Sequence, residues 1–312
     1  MIEVENLSKY YKGIRAVEGI TFNVSKGEIV GFLGPNGAGK TTTMRIITCF
    51  IPATKGTVRV GGFDVFKDSF EVKKRIGYLP ENPPLYKEMT VSSFLEFVAK
   101  LRGVDGKKIR SRIDYALEKC GISGVKNRLI GNLSKGYKQR VGIAQALIHD
   151  PEVLILDEPT IGLDPKQIAE IRHLIKELGG EHTVILSTHI LPEVTMTCQR
   201  VVIINDGKIV AIDSYESLSV NLRKSDKTFI RLSRIDEDII RKLEVIKGLT
   251  HINKENFAEN SLIVESEVGF DIREELANIC VKNNYGLLEM KPVAMSLEDI
   301  FLKLTTEEKG VN

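Results

Sequence analysis

The stretch that decides the fold is Glu28–Ile47, EIVGFLGPNGAGKTTTMRII. A short apolar run, Ile29-Val30-Gly31-Phe32-Leu33, has the length and composition of a buried strand. It runs into Gly34-Pro35-Asn36-Gly37-Ala38-Gly39-Lys40-Thr41-Thr42, and an apolar segment of helical length follows. The spacing G-x-x-x-x-G-K-[ST] between a strand and a helix is that of a phosphate-cradling loop. Its glycines let the chain curl so that successive N–H groups point inward at anionic oxygens. The positive end of the helix dipole adds to that attraction. Lys40 is expected to reach the β- and γ-phosphates of a nucleotide, and the Thr41 hydroxyl to ligate Mg²⁺.

Downstream, Val153-Leu154-Ile155-Leu156 is a wholly apolar strand ending in Asp157-Glu158. Carboxylates at the end of a buried strand lie where open α/β sheets place their ligands. Asp157 is expected to hold Mg²⁺ through water, and Glu158 to orient or activate a hydrolytic water. A further apolar strand, Thr183–Leu186, runs into Ser187-Thr188-His189, which puts His189 within reach of a phosphate or its attacking water. His149, His173, His182 and His251 are expected on the surface or in helices. Between the glycine-rich loop and the acidic strand, residues 88–150 turn helical, with Phe94, Phe97, Val98 and Leu101 at helical spacing. The basic run Arg102–Arg112 reads as a solvated face. Ser134 and Gly136 open an apolar helix, as an N-cap or a second anion contact. Gly162-Leu163-Asp164-Pro165 starts another helix.

Shorter elements frame these. Strands are expected at Met1–Val4, Gly19–Val24, Gly56–Val60 and Arg75–Leu79, and a hairpin turns at Asn205-Asp206-Gly207. Tyr10 and Tyr11 sit in a polar stretch as candidates for stacking on a purine. Pro80–Tyr86, with three prolines at Pro80, Pro83 and Pro84, reads as a rigid extended loop.

Composition sets the outer bounds. A chain of 312 residues exceeds one comfortable core, so two domains are expected. With 44 basic against 42 acidic residues, the net charge of +2 argues for neither a nucleic-acid nor an anionic-membrane surface. The four cysteines show no C-x-x-C spacing, as expected of free thiols in a reducing compartment. Charges interrupt every early apolar run, so no secretory signal is expected. No stretch reaches the roughly 18 apolar residues of a spanning helix.

Together these motifs resemble the nucleotide-binding subunit of an ABC transporter over roughly residues 1–218. Gly34–Thr42 is similar to Walker A, Val153–Glu158 to Walker B and Leu133-Ser134-Lys135-Gly136-Tyr137 to the signature. Gly162–Asp164 is similar to the D-loop, His189 to the switch histidine and Tyr11 to the adenine-stacking aromatic. Two positions depart from the family pattern: Glu81 stands for the Q-loop glutamine, and the signature reads L-S-K-G-Y. With Ser296-Leu297-Glu298-Asp299-Ile300-Phe301, these variants resemble the ABC-2 export subgroup. The resemblance implies ATP and Mg²⁺ as ligands, with Tyr11, Ser134, Gly136 and Asp164 joining the phosphate loop around ATP. Thr41, Glu81 and Asp157 would surround the metal, and Glu158 and His189 would be catalytic. It further implies a second, identical ATP-binding subunit and separately encoded transmembrane permease subunits. Those would dock near Glu81–Tyr86 and the helical insertion, on the cytoplasmic face of the membrane. A non-transport ABC ATPase acting on DNA or ribosomes is the alternative. No sustained heptad repeat and no second motif set accompany the first, so no nucleic acid is expected.

The expected fold is therefore an α/β P-loop NTPase core at 1–220 with a helical subdomain at about 88–150, followed by a small α+β domain at 221–312. In the latter, strands at Thr228–Ser233, Leu249–Asn253, Ser261–Ser266 and Gly286–Met290 alternate with helices at Asp236–Ile246 and from Asp271. Asp271 and Glu274 form a capping-box-like pair, and a terminal helix is expected from Ser296. The order β-α-β-β-α-β is that of a ferredoxin-like split unit, expected to regulate or dimerise the ATPase.

Overall fold

The computed structural model describes residues 1–221, 225–253, 259–293 and 301. The chain divides into two compact units, Met1–Tyr215 and Glu216–Lys303.

In the first unit, β1 (Ile2–Tyr11) pairs antiparallel with β2 (Ile14–Val24). Both strands run further than the apolar pattern suggested, and Tyr10 and Tyr11 lie at the end of β1, not in a loop. One face of this sheet is solvated, so polar residues such as Lys9 and Arg15 can stay in register opposite Val17 and Tyr10. Then come β3 (Ile29–Leu33), α1 (Lys40–Ile47), β4 (Lys55–Val60), β5 (Phe63–Asp64), α2 (Ser69–Arg75) and β6 (Ile76–Leu79). The insertion supplies α3 (Val91–Leu101), α4 (Ile109–Lys119) and α5 (Lys135–Leu147). It is followed by β7 (Val153–Asp157), α6 (Pro165–Leu178), β8 (Thr183–Thr188), α7 (Leu191–Thr197), β9 (Arg200–Asn205) and β10 (Lys208–Asp213), and α8 (Tyr215–Asn221) begins at the boundary and runs into the second unit.

A six-stranded sheet in the order β10-β9-β3-β8-β7-β6 is the frame. Every strand from β9 to β6 is parallel to its neighbour, and β10 closes one edge antiparallel. β3, β7 and β8 are buried at every position, which is why their sequences are continuous apolar runs without alternation. The consequence for function is positional. The carboxyl ends of β3, β8, β7 and β6 lie side by side along one rim.

Phe94, Leu95, Ile113, Leu117, Val141 and Leu147 of the helical insertion join one apolar core with Leu79, Leu154, Leu156 and Leu186 of the sheet. The insertion packs closely on the sheet: a Cβ on Gly77 of β6 would lie 2.2 Å from the Ala146 carbonyl oxygen of α5. The two ends of the basic run are anchored. Arg112 donates to the carbonyls of Leu147 and Ile148, closing the C-terminal end of α5, and Arg102 donates to the Lys73 carbonyl. Only the middle of the run, Lys107, Lys108 and Arg110, is a solvated face.

His182 corrects the expectation that it lies on the surface or in a helix. It is buried between α6 and β8, with Nδ1 2.7 Å from the Pro151 carbonyl oxygen.

The second unit contains β11 (Asp226–Leu232), α9 (Glu237–Leu243), β12 (Leu249–Asn253), β13 (Ser261–Ser266), α10 (Arg273–Lys282) and β14 (Leu287–Val293). The antiparallel sheet has the order β12-β13-β11-β14, a ferredoxin-like arrangement. Ile230, Leu232, Val264, Ile240, Leu243 and Leu276 fill its core. Asp236 caps α9 by accepting from the Ile239 N–H. The expected capping box of Asp271 and Glu274 does not form. Ile272 is the N-cap residue, and Asp271, one position upstream, accepts from the backbone and guanidinium of Arg273. The helix expected from Ser296 lies outside the described residues, apart from Phe301.

His149, just beyond α5, gives a test of this packing. Burial, helped by the charge of Arg102, pushes its imidazole down to about 4. Its Nε2 faces the Ile76 carbonyl at 3.1 Å, while Nδ1 is buried without a hydrogen-bond partner. An unfolded histidine titrates near 6.5, so below that pH the unfolded chain binds a proton that the folded chain refuses. The contribution is complete above about 6.5 and is lost as pH falls toward about 4. Urea unfolding across this window should therefore show a steeper loss of stability in the wild type than in His149→Gln. The difference should reach about 1.4 kcal/mol per pH unit. Identical pH slopes would refute it.

Candidate nucleotide site

The glycine-rich loop is shaped by what lies beneath it. A Cβ on Gly34 would sit 2.3 Å from the Ile204 carbonyl oxygen, so the chain leaving β3 passes over β9 with room only for glycine. Gly39 takes φ +107° against the Ala16 carbonyl and caps α1 without offering a side chain to its first N–H groups. Lys40 folds back into the loop it follows, donating to the carbonyls of Gly34 at 2.8 Å and Pro35 at 3.2 Å. Its ammonium is buried and lies 3.5 Å from Glu158. The loop thus holds a positive charge at its centre.

β7 delivers two carboxylates to the neighbouring position on the rim. Asp157 is fully buried; one oxygen accepts from Ser187 Oγ at 2.7 Å, and Thr41 lines the same cleft beside the carboxylate. Its other oxygen, Oδ2, is buried with no hydrogen-bond partner. Burial pushes its carboxyl up, with the charges of Glu158 and Glu81 adding to the effect. A carboxylate oxygen left bare beside a threonine hydroxyl fits a hard cation with oxygen ligands, and Mg²⁺ is such an ion. Glu158 is a non-glycine residue at φ +50°, its N–H donating to the Ser187 carbonyl. Its carboxylate lies between the Lys40 ammonium and His189, whose Nδ1 is 2.9 Å away. An ionised carboxylate only accepts, so against it Nδ1 carries the proton and Nε2 is left as an acceptor. Glu81, on the loop after β6, lines a cleft of about 440 Å³ shared with Thr41, Arg45, Tyr78, Gln145 and Asp157.

The remaining sequence candidates are elsewhere in the unit. Ser134 caps α5 by accepting from the Tyr137 N–H, and Asp164 caps α6 by accepting from the Gln167 N–H. Ser134, Gly136 and Asp164 line a second cleft, of about 420 Å³, that contains no phosphate-loop residue. Gly136 sits against the Gln167 side chain, which a Cβ would displace. Tyr11 is exposed at the end of β1, with the Lys9 ammonium 5.2 Å from its ring centre.

Sequence reading missed the support behind the Glu158–His189 pair. Ser187 holds Asp157, while Thr160 and Thr188 both donate to Glu193, a carboxylate of α7 that is 1% exposed. A lone glutamate in a short helix carries no periodic or spacing signal that would mark it.

A phosphate loop, a strand-end carboxylate pair and a histidine on a parallel sheet define a P-loop ATPase. Comparison with known proteins places it within that class. The ABC transporter family matches residues 17–161. The chain is 36% identical over 307 residues to the bacitracin transport ATP-binding protein BcrA of Bacillus licheniformis, covering 97% of each chain. It is 33% identical to the linearmycin resistance ATP-binding protein LnrL of Bacillus subtilis (strain 168), covering 98% of each. Among solved structures, the dimeric ATP-binding cassette MJ0796 in a post-hydrolysis state with ADP and Pi aligns with TM-score 0.63. It is 28% identical, over 69% of this chain and 98% of that one. The chain belongs to the ABC transporter family. It is an ATP-binding and ATP-hydrolysing subunit of the exporter type, a class that dimerises and works with separate transmembrane subunits. Among the described residues, no helix is long and apolar enough to cross a membrane.

Proposed function

We propose that two copies of this chain close on two ATP molecules, each bound between the phosphate loop of one copy and the Ser134 cleft of the other. The division of the candidate residues into two separate clefts supports this, since each cleft is half of a site. Tyr11 stacks on the base, Gly34–Thr42 cradles the phosphates, and Ser134, Gly136 and Asp164 complete the pocket from the facing copy. Thr41, Asp157 and Glu81 would hold Mg²⁺. When bound, the ion supplies positive charge against the β- and γ-phosphate oxygens. The carboxylate of Glu158, between Lys40 and His189, is the observation that carries the hydrolytic reading. Glu158 accepts a proton as water oxygen bonds to the γ-phosphorus and the bond to the bridging oxygen breaks, releasing ADP. Lys40 balances charge on the transferred group. His189, with Nδ1–H fixed on Glu158, offers Nε2 as an acceptor to the attacking water.

The pair sits on the cytoplasmic face of the membrane, engaging permease subunits near Glu81–Tyr86 and the helical insertion, without nucleic acid. Relatives named for bacitracin transport and linearmycin resistance support a toxic cargo over a nutrient. We read residues from about 221 onward as an accessory domain that regulates or dimerises the ATPase.

Glu158→Gln should keep ATP binding and lose about 10²- to 10⁴-fold in turnover, because an amide cannot take the proton. Size-exclusion chromatography with MgATP should then show an accumulated dimer; near-normal steady-state ATPase would sink the assignment. For Glu81→Ala, the Mg²⁺ concentration giving half-maximal ATPase should rise. An unchanged titration would leave Glu81 a loop residue only. Truncation after Asn221 should give a soluble ATPase with altered turnover, cooperativity or permease binding. A fragment unchanged in all three, or one that aggregates, would defeat the accessory role.

A further inference from the structure

We infer that Glu193 is a positioning residue for hydrolysis, holding the Glu158–His189 pair in register; this rests on the reading of those two residues as the catalytic pair. Glu158 and His189 stand on different segments, one just past β7 and the other just past β8. Their 2.9 Å contact survives only if the two segments keep their relative position. Behind it, the Glu193 carboxylate bridges the same two segments. One oxygen accepts from Thr160 Oγ1, two residues beyond Glu158. The other accepts from Thr188 Oγ1 at 2.8 Å, one residue before His189. The Thr188 hydroxyl also accepts from the Ile190 N–H at 3.0 Å, fixing the turn on which His189 is carried. The backbone bond from Glu158 N–H to the Ser187 carbonyl, 2.8 Å, is the second tie between the segments.

The chemistry of Glu193 argues that this bridge is retained for geometry. It is 1% exposed, and among the described residues no ion pair within 4.0 Å neutralises it. Burial pushes its carboxyl up and the Thr160 and Thr188 hydroxyls pull it back down, while the Glu158 charge opposes its ionisation and Arg172 favours it. Burying such a group is costly, and an apolar residue would fill the space at lower cost. What the carboxylate supplies is two acceptors with a fixed separation. Two hydroxyl donors from two strand ends satisfy them, and the low local dielectric strengthens both bonds.

The test compares Glu193→Ala, Glu193→Gln and the pair Thr160→Val/Thr188→Val in the full chain, alone and combined with His189→Ala. ATPase kinetics, affinity for a fluorescent ATP analogue and thermal unfolding are read for each. Glu193→Ala should lower kcat by about 10- to 100-fold while analogue affinity changes by less than about threefold, the pattern of a misplaced catalytic group. Glu193→Gln, which keeps the shape and one acceptor, should recover most of that loss. In the His189→Ala background the same substitution should cost less than about threefold more, because the contact it protects is already gone. Independent multiplication of the two effects, or kcat within about twofold of wild type, overturns the inference in favour of a packing role. If Glu193→Ala does not fold, the threonine pair, which keeps the carboxylate and removes both donors, must show the same kcat loss and the same non-additivity. Should Glu158→Gln and His189→Ala themselves retain turnover, the catalytic reading fails and this inference with it. If they lose turnover while every Glu193 and threonine variant keeps it, only this inference falls.

Discussion

The parallel register of three strands is the constraint on which the site depends. Leu33 of β3 pairs with Thr188 of β8, and Asp157 of β7 pairs with Ser187 of the same strand. β8 therefore stands between the phosphate loop and the carboxylates, and its last residues touch both sides. A slip of one residue would turn Ser187 away from Asp157 and carry His189 off Glu158. Continuous burial of all three strands is what makes such a slip expensive, since no position has a solvated alternative.

That rim concentrates groups that proteins ordinarily keep wet. Lys40, Asp157, Glu158 and Glu193 are all nearly inaccessible, and each is stabilised differently. Lys40 has two carbonyls and a carboxylate; Glu158 has a lysine and a histidine; Glu193 has two hydroxyls. Asp157 alone keeps a bare oxygen. Unsatisfied buried charge is tolerated where binding will satisfy it, so the asymmetry separates the residue that waits for a ligand from those that shape the pocket.

The second cleft gives the chemistry a switch. Ser134 and Asp164 spend their side chains capping α5 and α6, and Gly136 lets those helices meet closely at Gln167. On the proposed reading, this surface meets the nucleotide that a second copy brings to it. Nucleotide then stabilises the closed pair over the open one by its differential contacts, as any population shift requires.

Much of this was legible in the chain. The order of strand, glycine-rich loop and helix, the apolar run ending in Asp157-Glu158, and Ser187-Thr188-His189 identify the α/β class and most site residues. Each pattern is local: a phosphate loop is made by consecutive residues, and a buried strand by consecutive apolar ones. The β-α-β-β-α-β order of the small unit is local in the same sense. What the sequence could not carry is pairing between distant segments. The length of β1 and β2 depends on cross-strand register, and the burial of His182 on the Pro151 carbonyl 31 positions away. Asp271 failed as a capping-box residue because the chain entered α10 one position later than the pattern implied. Glu193 is the clearest case. Nothing in its neighbours sets it apart, and only the meeting of Thr160 and Thr188 around it, from two different strand ends, gives it a role.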